Sequence, residues 1–176
     1  MGQQNGTVQA PFSFGMPQRS GSDWVQEGLA LAALAAIIGI VATHWAEIPA
    51  VVPIRFGISG TPNGWGNKNA MMLLPLIATG LYTLLTALTA ILRYPRLINV
   101  PMGIDRNAPE VQRLLRSMCI TLKMIIMIVF VYIVWANVNT ALGRSAGLGK
   151  LFLPVFLVGI FLSLGLYLLK LLVDRK

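Results

Sequence analysis

Residues 70–92, AMMLLPLIATGLYTLLTALTAIL, contain no charged side chain. About 20 helical residues cross the roughly 30 Å of hydrocarbon in a bilayer, so this stretch is long enough to span one. Inside lipid, backbone N–H and C=O groups find no water and must be satisfied within the segment, which predicts a helix. Three more runs have the same character: 25–45, rich in alanine; 118–138, with Lys123 as its one basic residue; and 151–169, with no charge. Period-2 alternation is absent from all of them, which argues against a barrel. The expected fold is an all-α integral membrane domain over residues 25–176, with about four transmembrane helices, preceded by a polar N-terminal segment, 1–24.

Composition agrees. The chain has 176 residues, of which 56% are hydrophobic and 11% charged. A soluble domain carries about 25% charged residues, so there is too little polar sequence here to coat a water-facing surface. The lipid bilayer is the expected surrounding. The net charge of +8 is spread between the apolar runs rather than gathered in one block. That distribution argues against nucleic-acid binding and fits the basic loops of an inserted protein. Cys119 has no Cys or His at metal-ligand spacing and reads as a small buried hydrophobe.

Lysine and arginine counts orient the spans. With the N-terminus inside, the inner side receives Arg19, Arg93, Arg96, Arg106, Arg113, Arg116, Lys170, Arg175 and Lys176. The outer side then receives Arg55, Lys68, Arg144 and Lys150. This asymmetry favours N-in and C-in, and places the loop after the first span on the extracytoplasmic face. Residues 1–24 lack the basic start and short apolar core of a signal peptide. A partner surface would hold the segment through Phe12, Phe14 and Met16. In the charged connection after the second span, Asn107, Pro109 and Glu110 read as a helix start. Val111, Leu114, Leu115 and Met118 then share one face, with Gln112, Arg113 and Arg116 elsewhere, so the third helix is expected to begin in the headgroup layer.

The outer loop, residues 45–68, is WAEIPAVVPIRFGISGTPNGWGNK. Val52, Ile54, Phe56 and Ile58 alternate, which predicts an extended segment laying one face on the bundle. Thr61-Pro62-Asn63-Gly64 suits a tight turn. Gly60, Gly64 and Gly66 surround Trp65, whose ring belongs at a membrane interface. Asn67 or Asn69 can cap the second helix.

The run Pro49-x-x-Val52-Pro53-x-x-Phe56, then Gly60-x-Pro62-x-x-Trp65-Gly66-x-Lys68, resembles the domain of unknown function in SdpI-type membrane proteins. Tyr94-Pro95-Arg96-Leu97-Ile98-Asn99-Val100-Pro101 looks like that family's second conserved stretch. The resemblance covers about residues 45 to 140 and implies a polytopic helical fold. It also implies kinship with bacterial inner-membrane immunity proteins that protect a producer from its own membrane-active toxin. Arg55 and Asn63 stand where the family usually has His and Asp. A role needing an ionisable or metal-binding pair there does not carry over. The chain is also shorter than a six-span member of the family.

No arrangement for catalysis, metal binding or a cofactor emerges from the residues. His44 and Glu47 are three residues apart and supply at most two ligands, where a metal site needs three or four. They read as an interfacial pair. Lys123 lies about 9 Å inside the expected inner edge, and without a carboxylate in any other span to pair with it is expected to snorkel outward. Small residues at four-residue spacing, Ala32/Ala36 and Gly159/Ser163, permit close helix contact inside the bundle or with another subunit. Two functions compete. One is a non-enzymatic SdpI-like protein whose outer loop recognises an extracellular peptide or toxin. The other is a small accessory subunit of a larger membrane complex.

Overall fold

The computed structural model describes residues 20–92, 94 and 108–173. Among these residues four α-helices carry the architecture: α1 (Gly21–His44), α2 (Leu73–Ile91), α3 (Pro109–Ala141) and α4 (Phe152–Val173). Between α1 and α2 the chain forms a hairpin, β1 (Val51–Phe56) and β2 (Pro62–Asn67), followed by a short 3-10 helix, Lys68–Met72. Each of the four helical stretches is long and apolar enough to cross a membrane, so this is a multi-pass membrane protein by length and composition. The fold is mostly helical, with one two-stranded sheet.

Helix boundaries follow local chemistry. α1 starts at Gly21 rather than near residue 25, because Asp23 folds back so that Ser20 N donates to its Oδ2 at 3.2 Å. The last residues of the polar segment are therefore the first turn of α1. Ala108 is the N-cap of α3, with Pro109 in its first turn, where a missing N–H costs nothing, and Glu110 beside it. Asn107 lies outside the described residues. Asn67 caps the 3-10 helix, its side chain accepting from Asn69 N. In α2, Thr79, Thr83, Thr86 and Thr89 each donate to the carbonyl four residues earlier. Their hydroxyls thus need no water within an otherwise apolar helix.

α3 is the central element, and α1, α2 and α4 all pack on it. Its 33 residues extend for about 50 Å, more than the hydrocarbon thickness of a bilayer requires. One apolar cluster joins Leu34, Ile37 and Val41 of α1 to Val134 and Val138 of α3, and takes in Ile48 and Val52 from the hairpin region. A second, deeper along the bundle, contains Ala30, Ala33 and Met127. Lipid is as apolar as these side chains, so close packing rather than water exclusion holds them together within the membrane. α1 uses its 30/33/34/37/41 stripe for this purpose, while Ala32 and Ala36 face outward. On α4, Gly159 is exposed and Ser163 half-buried. α4 leans on α3 through a stacked pair, Tyr132 and Phe152, with ring centroids 5.2 Å apart.

Some expectations at the start of α3 change. Arg116 is buried, whereas Val111, Leu114, Leu115 and Met118 are only half-buried. Cys119 is a free thiol of intermediate exposure rather than a core side chain.

Candidate functional sites: the hairpin cap and the buried ion pair

The hairpin sits over one end of the bundle. β1 and β2 are antiparallel, pairing Val52 with Gly66, Pro53 with Trp65, Arg55 with Gly64 and Phe56 with Pro62. The pairing skips Ile54 on one strand and Asn63 on the other, so each strand carries an irregularity. A bulged residue breaks the two-residue alternation and re-aims its side chain. The strict alternation from Val52 to Ile58 therefore does not become one buried face. Val52 and Pro53 are both buried, Phe56 is half-buried, and Ile54 and Ile58 are 46% and 88% exposed. The reversal also falls elsewhere than expected. Gly57 N donates to Thr61 O and Gly60 N to Gly57 O, which puts the turn at 57–60, while Thr61–Gly64 runs into and along β2.

Three glycines explain how this turn is held. Gly60 has φ +76° and faces the α3–α4 loop, where Gly147 and Gly149 have φ +140° and +80°. Leu148 N donates to Gly60 O at 2.8 Å, and Tyr132 Oη donates to Leu148 O at 2.8 Å. A Cβ at Gly60 would lie 2.5 Å from Gly149 O, so two backbones approach here as only glycine permits. On the sheet itself, the absent Cβ atoms of Gly64 and Gly66 leave room for the side chains of Arg55 and Ile54.

Lys68 ties the other end of the hairpin to α1. Its ammonium donates to Trp45 O and lies 4.7 Å from the Trp45 ring centroid. Glu47 pairs with Arg144 at 3.0 Å, linking the segment after α1 to the α3–α4 loop. His44 instead contacts Ile40 O through Nδ1, so His44 and Glu47 do not form a pair. Among the residues picked from the sequence, Pro49, Arg55, Asn63 and Trp65 are exposed, Pro53 and Gly60 buried, and Phe56, Pro62, Gly66 and Lys68 half-buried. Tyr94 is exposed, while Pro95, Asn99 and Pro101 lie outside the described residues.

The second polar centre lies between helices. Lys123 is 1% exposed and does not snorkel. Its Nζ is 2.6 Å and 2.7 Å from the two carboxylate oxygens of Glu27, and donates to Thr86 Oγ1 at 3.1 Å. Tyr82 Oη donates to Glu27 Oε1 at 3.0 Å, and the Tyr82 ring lies 4.9 Å from the ammonium. The expectation of outward reach overlooked Glu27, which lies two residues inside the first apolar run. A partnered ammonium has no reason to reach for water, because burial is costly only for an uncompensated charge. Slightly closer to the end of the bundle, Thr121 donates to Gln26 Oε1 at 2.8 Å and lies 2.7 Å from Tyr167 Oη. Among the described residues, no group of three or more His, Cys, Asp or Glu side chains converges as a metal site would require.

Comparison with known proteins returns to the hairpin. A family model described as a domain of unknown function, DUF1648, matches residues 30–79, which comprise most of α1, the hairpin and the first part of α2. The chain is similar to an uncharacterized protein of Archaeoglobus fulgidus, with 36% identity over 62 residues. That match spans 32% of this chain and 34% of the archaeal protein, so it covers about a third of each. No solved structure matches.

Proposed function

We propose that this is a non-enzymatic membrane protein whose hairpin cap is a recognition surface for a membrane-active peptide or toxin outside the cell. One observation carries the reading: Ile54, Ile58 and Trp65 project from a hairpin whose backbone is pinned at both ends. Apolar side chains that add nothing to the internal core, on a support held by hydrogen bonds at both ends, are an arrangement that suits a binding surface. The resemblance to SdpI-type immunity proteins points the same way. The Lys and Arg count supports N-in and C-in, with the cap facing out across a bacterial-type inner membrane.

The test is deletion of the gene in its native host, followed by challenge with a panel of membrane-active peptides. Deletion should sensitise the cells, wild-type protein should restore protection, and Trp65→Ala should fail to restore it at equal expression. Unchanged sensitivity across the panel would sink the reading.

A second reading, as an accessory subunit, draws on Ala32 and Ala36, which face away from the bundle on α1 and leave a shallow strip for a neighbouring helix. Gentle detergent extraction and native mass determination separate the two. A lone protomer would exclude the subunit role.

A further inference from the structure

The end of the bundle opposite the hairpin contains a cavity of about 430 Å³. It lies between the start of α1, the first turns of α3 and the last turns of α4, with Asp23, Glu110, Arg113, Ser117, Tyr167 and Lys170 in its wall. That volume is within the range of sites for small ligands. None of these side chains belongs to the hairpin or to the Lys123–Glu27 cluster.

Two features of the wall define the chemistry. Arg113 and Lys170 arrive from different helices and bring two positive charges to one space. An arginine fork with a nearby ammonium suits a phosphate group. Asp23 and Glu110 oppose them with two carboxylates. Asp23 is 2% exposed; its Oδ2 accepts from Ser20 N, while Oδ1 is buried with no hydrogen-bond partner. An unsatisfied buried carboxylate oxygen is costly unless a donor meets it. A bare anion would satisfy the cations and repel the carboxylates. A ligand with both signs satisfies both. The floor is already ordered, since Tyr167 Oη lies 3.2 Å from Ser117 Oγ and 2.7 Å from Thr121 Oγ1.

Position supplies the remaining argument. The early turns of α3 carry Glu110, Arg113 and Arg116 ahead of the apolar run 118–138, a composition that suits the headgroup layer rather than the hydrocarbon. On α4, the helix that supplies Tyr167 and Lys170 to the cavity wall, Leu162, Leu166 and Leu169 are exposed. They give an acyl chain an apolar track leading away from the polar wall.

We propose that this cavity binds a phosphate ester carrying a primary ammonium, presented as the headgroup of a phospholipid such as phosphatidylethanolamine. Arg113 and Lys170 hold the phosphate, and the ammonium faces Asp23 and Glu110. The site is independent of whatever the hairpin recognises.

The experiment uses the full chain, purified in detergent and stripped of lipid. Short-chain phosphatidylethanolamine, phosphatidylglycerol, soluble phosphoethanolamine and inorganic phosphate are titrated against it, with bound mass and thermal shift as readouts. Phosphatidylethanolamine should bind at least fivefold more tightly than phosphatidylglycerol. The double variant Arg113→Gln/Lys170→Gln, at two exposed positions that leave the fold intact, should weaken binding at least tenfold. Asp23→Asn should erase the preference between the two lipids, and Glu110→Gln should reduce it if the Asp23 variant fails to fold. Soluble phosphoethanolamine that competes only at far higher concentration assigns the site to lipid. Competition at matched concentration assigns the same chemical group to a soluble ester. Equal affinity of the wild-type protein for both lipids, binding of inorganic phosphate as tight as that of phosphatidylethanolamine, or full binding by the Arg113/Lys170 variant would overturn the proposal.

Discussion

The ammonium of Lys123 lies 2.6 Å from Oε1 of Glu27, joining α3 to α1 deep in the bundle. Thr86 and Tyr82 extend the contact to α2, so one charge pair links three helices. Breaking such a pair by removing one partner leaves a buried charge uncompensated, whereas replacing both with apolar side chains is often neutral. Glu27→Leu and Lys123→Met should each cost about 3 kcal/mol, toward the low end of the range because the Glu27 side chain keeps 21% exposure. The double variant Glu27→Leu/Lys123→Met should recover most of that loss. Reversible unfolding in detergent, analysed as a double-mutant cycle, gives the coupling; simple additivity of the two losses would refute it.

Contact between the hairpin turn and the α3–α4 loop depends on backbone that carries no Cβ. Gly60→Ala and Gly147→Ala must both strain a positive φ and push a methyl into opposing backbone. Each should cost more than Gly143→Ala, where φ is +70° but the space is open. Strain alone predicts roughly 1–2 kcal/mol for the Gly143 variant. Hydrogen exchange at the Leu148 amide, which donates to Gly60 O, reports the contact directly. Protection should collapse in the Gly60 and Gly147 variants and persist in the Gly143 variant.

If the hairpin's outer face serves recognition, its exposed apolar side chains are dispensable for folding. Trp65→Ala and Ile58→Ser should change stability by less than about 0.5 kcal/mol. Val52→Ala, at a position with no solvent exposure, should cost about 2 kcal/mol. Melting curves of the three variants check this. A Trp65 variant as unstable as the Val52 variant would show that the exposed ring has a structural role.

Glu47 and Arg144 form a second ion pair, with both side chains 54% exposed. Solvent screening leaves such pairs worth little, so Arg144→Ala should alter stability by less than about 0.5 kcal/mol. The contrast with the Lys123–Glu27 pair should appear in unfolding experiments at low and raised salt. Only the exposed pair should respond to salt.

Much of the helical framework was legible in the chain because lipid imposes a simple demand. A run of about 20 apolar residues such as 70–92 must satisfy its own backbone, and only a helix can do so. Turn chemistry was less legible. Thr61-Pro62-Asn63-Gly64 has good turn residues, yet the reversal lies at Gly57–Gly60, because the partner of Gly60 is a loop some 90 residues further along the chain. The alternation from Val52 to Ile58 was equally misleading, since irregular pairing at Ile54 and Asn63 cannot be read from one strand alone. The role of Glu27 is not legible in the sequence because it lies in the depth of its carboxylate relative to Lys123. That depth depends on how α1 and α3 slide past each other.

The sequence by itself determined that this is a multi-pass membrane protein, which stretches are long and apolar enough to cross the bilayer, and that a Pro/Gly/Trp loop joins the first two. Those properties depend on residue type and run length, which short-range physics converts into structure. Only the tertiary structure decided which face of the loop is left exposed, that Lys123 is paired rather than reaching for water, and that α1, α3 and α4 together line a polar cavity. Each of these results from meetings between residues far apart in the chain. Such meetings are set by helix register, close backbone approach and the mutual neutralisation of buried charge, none of which has a signature in local sequence.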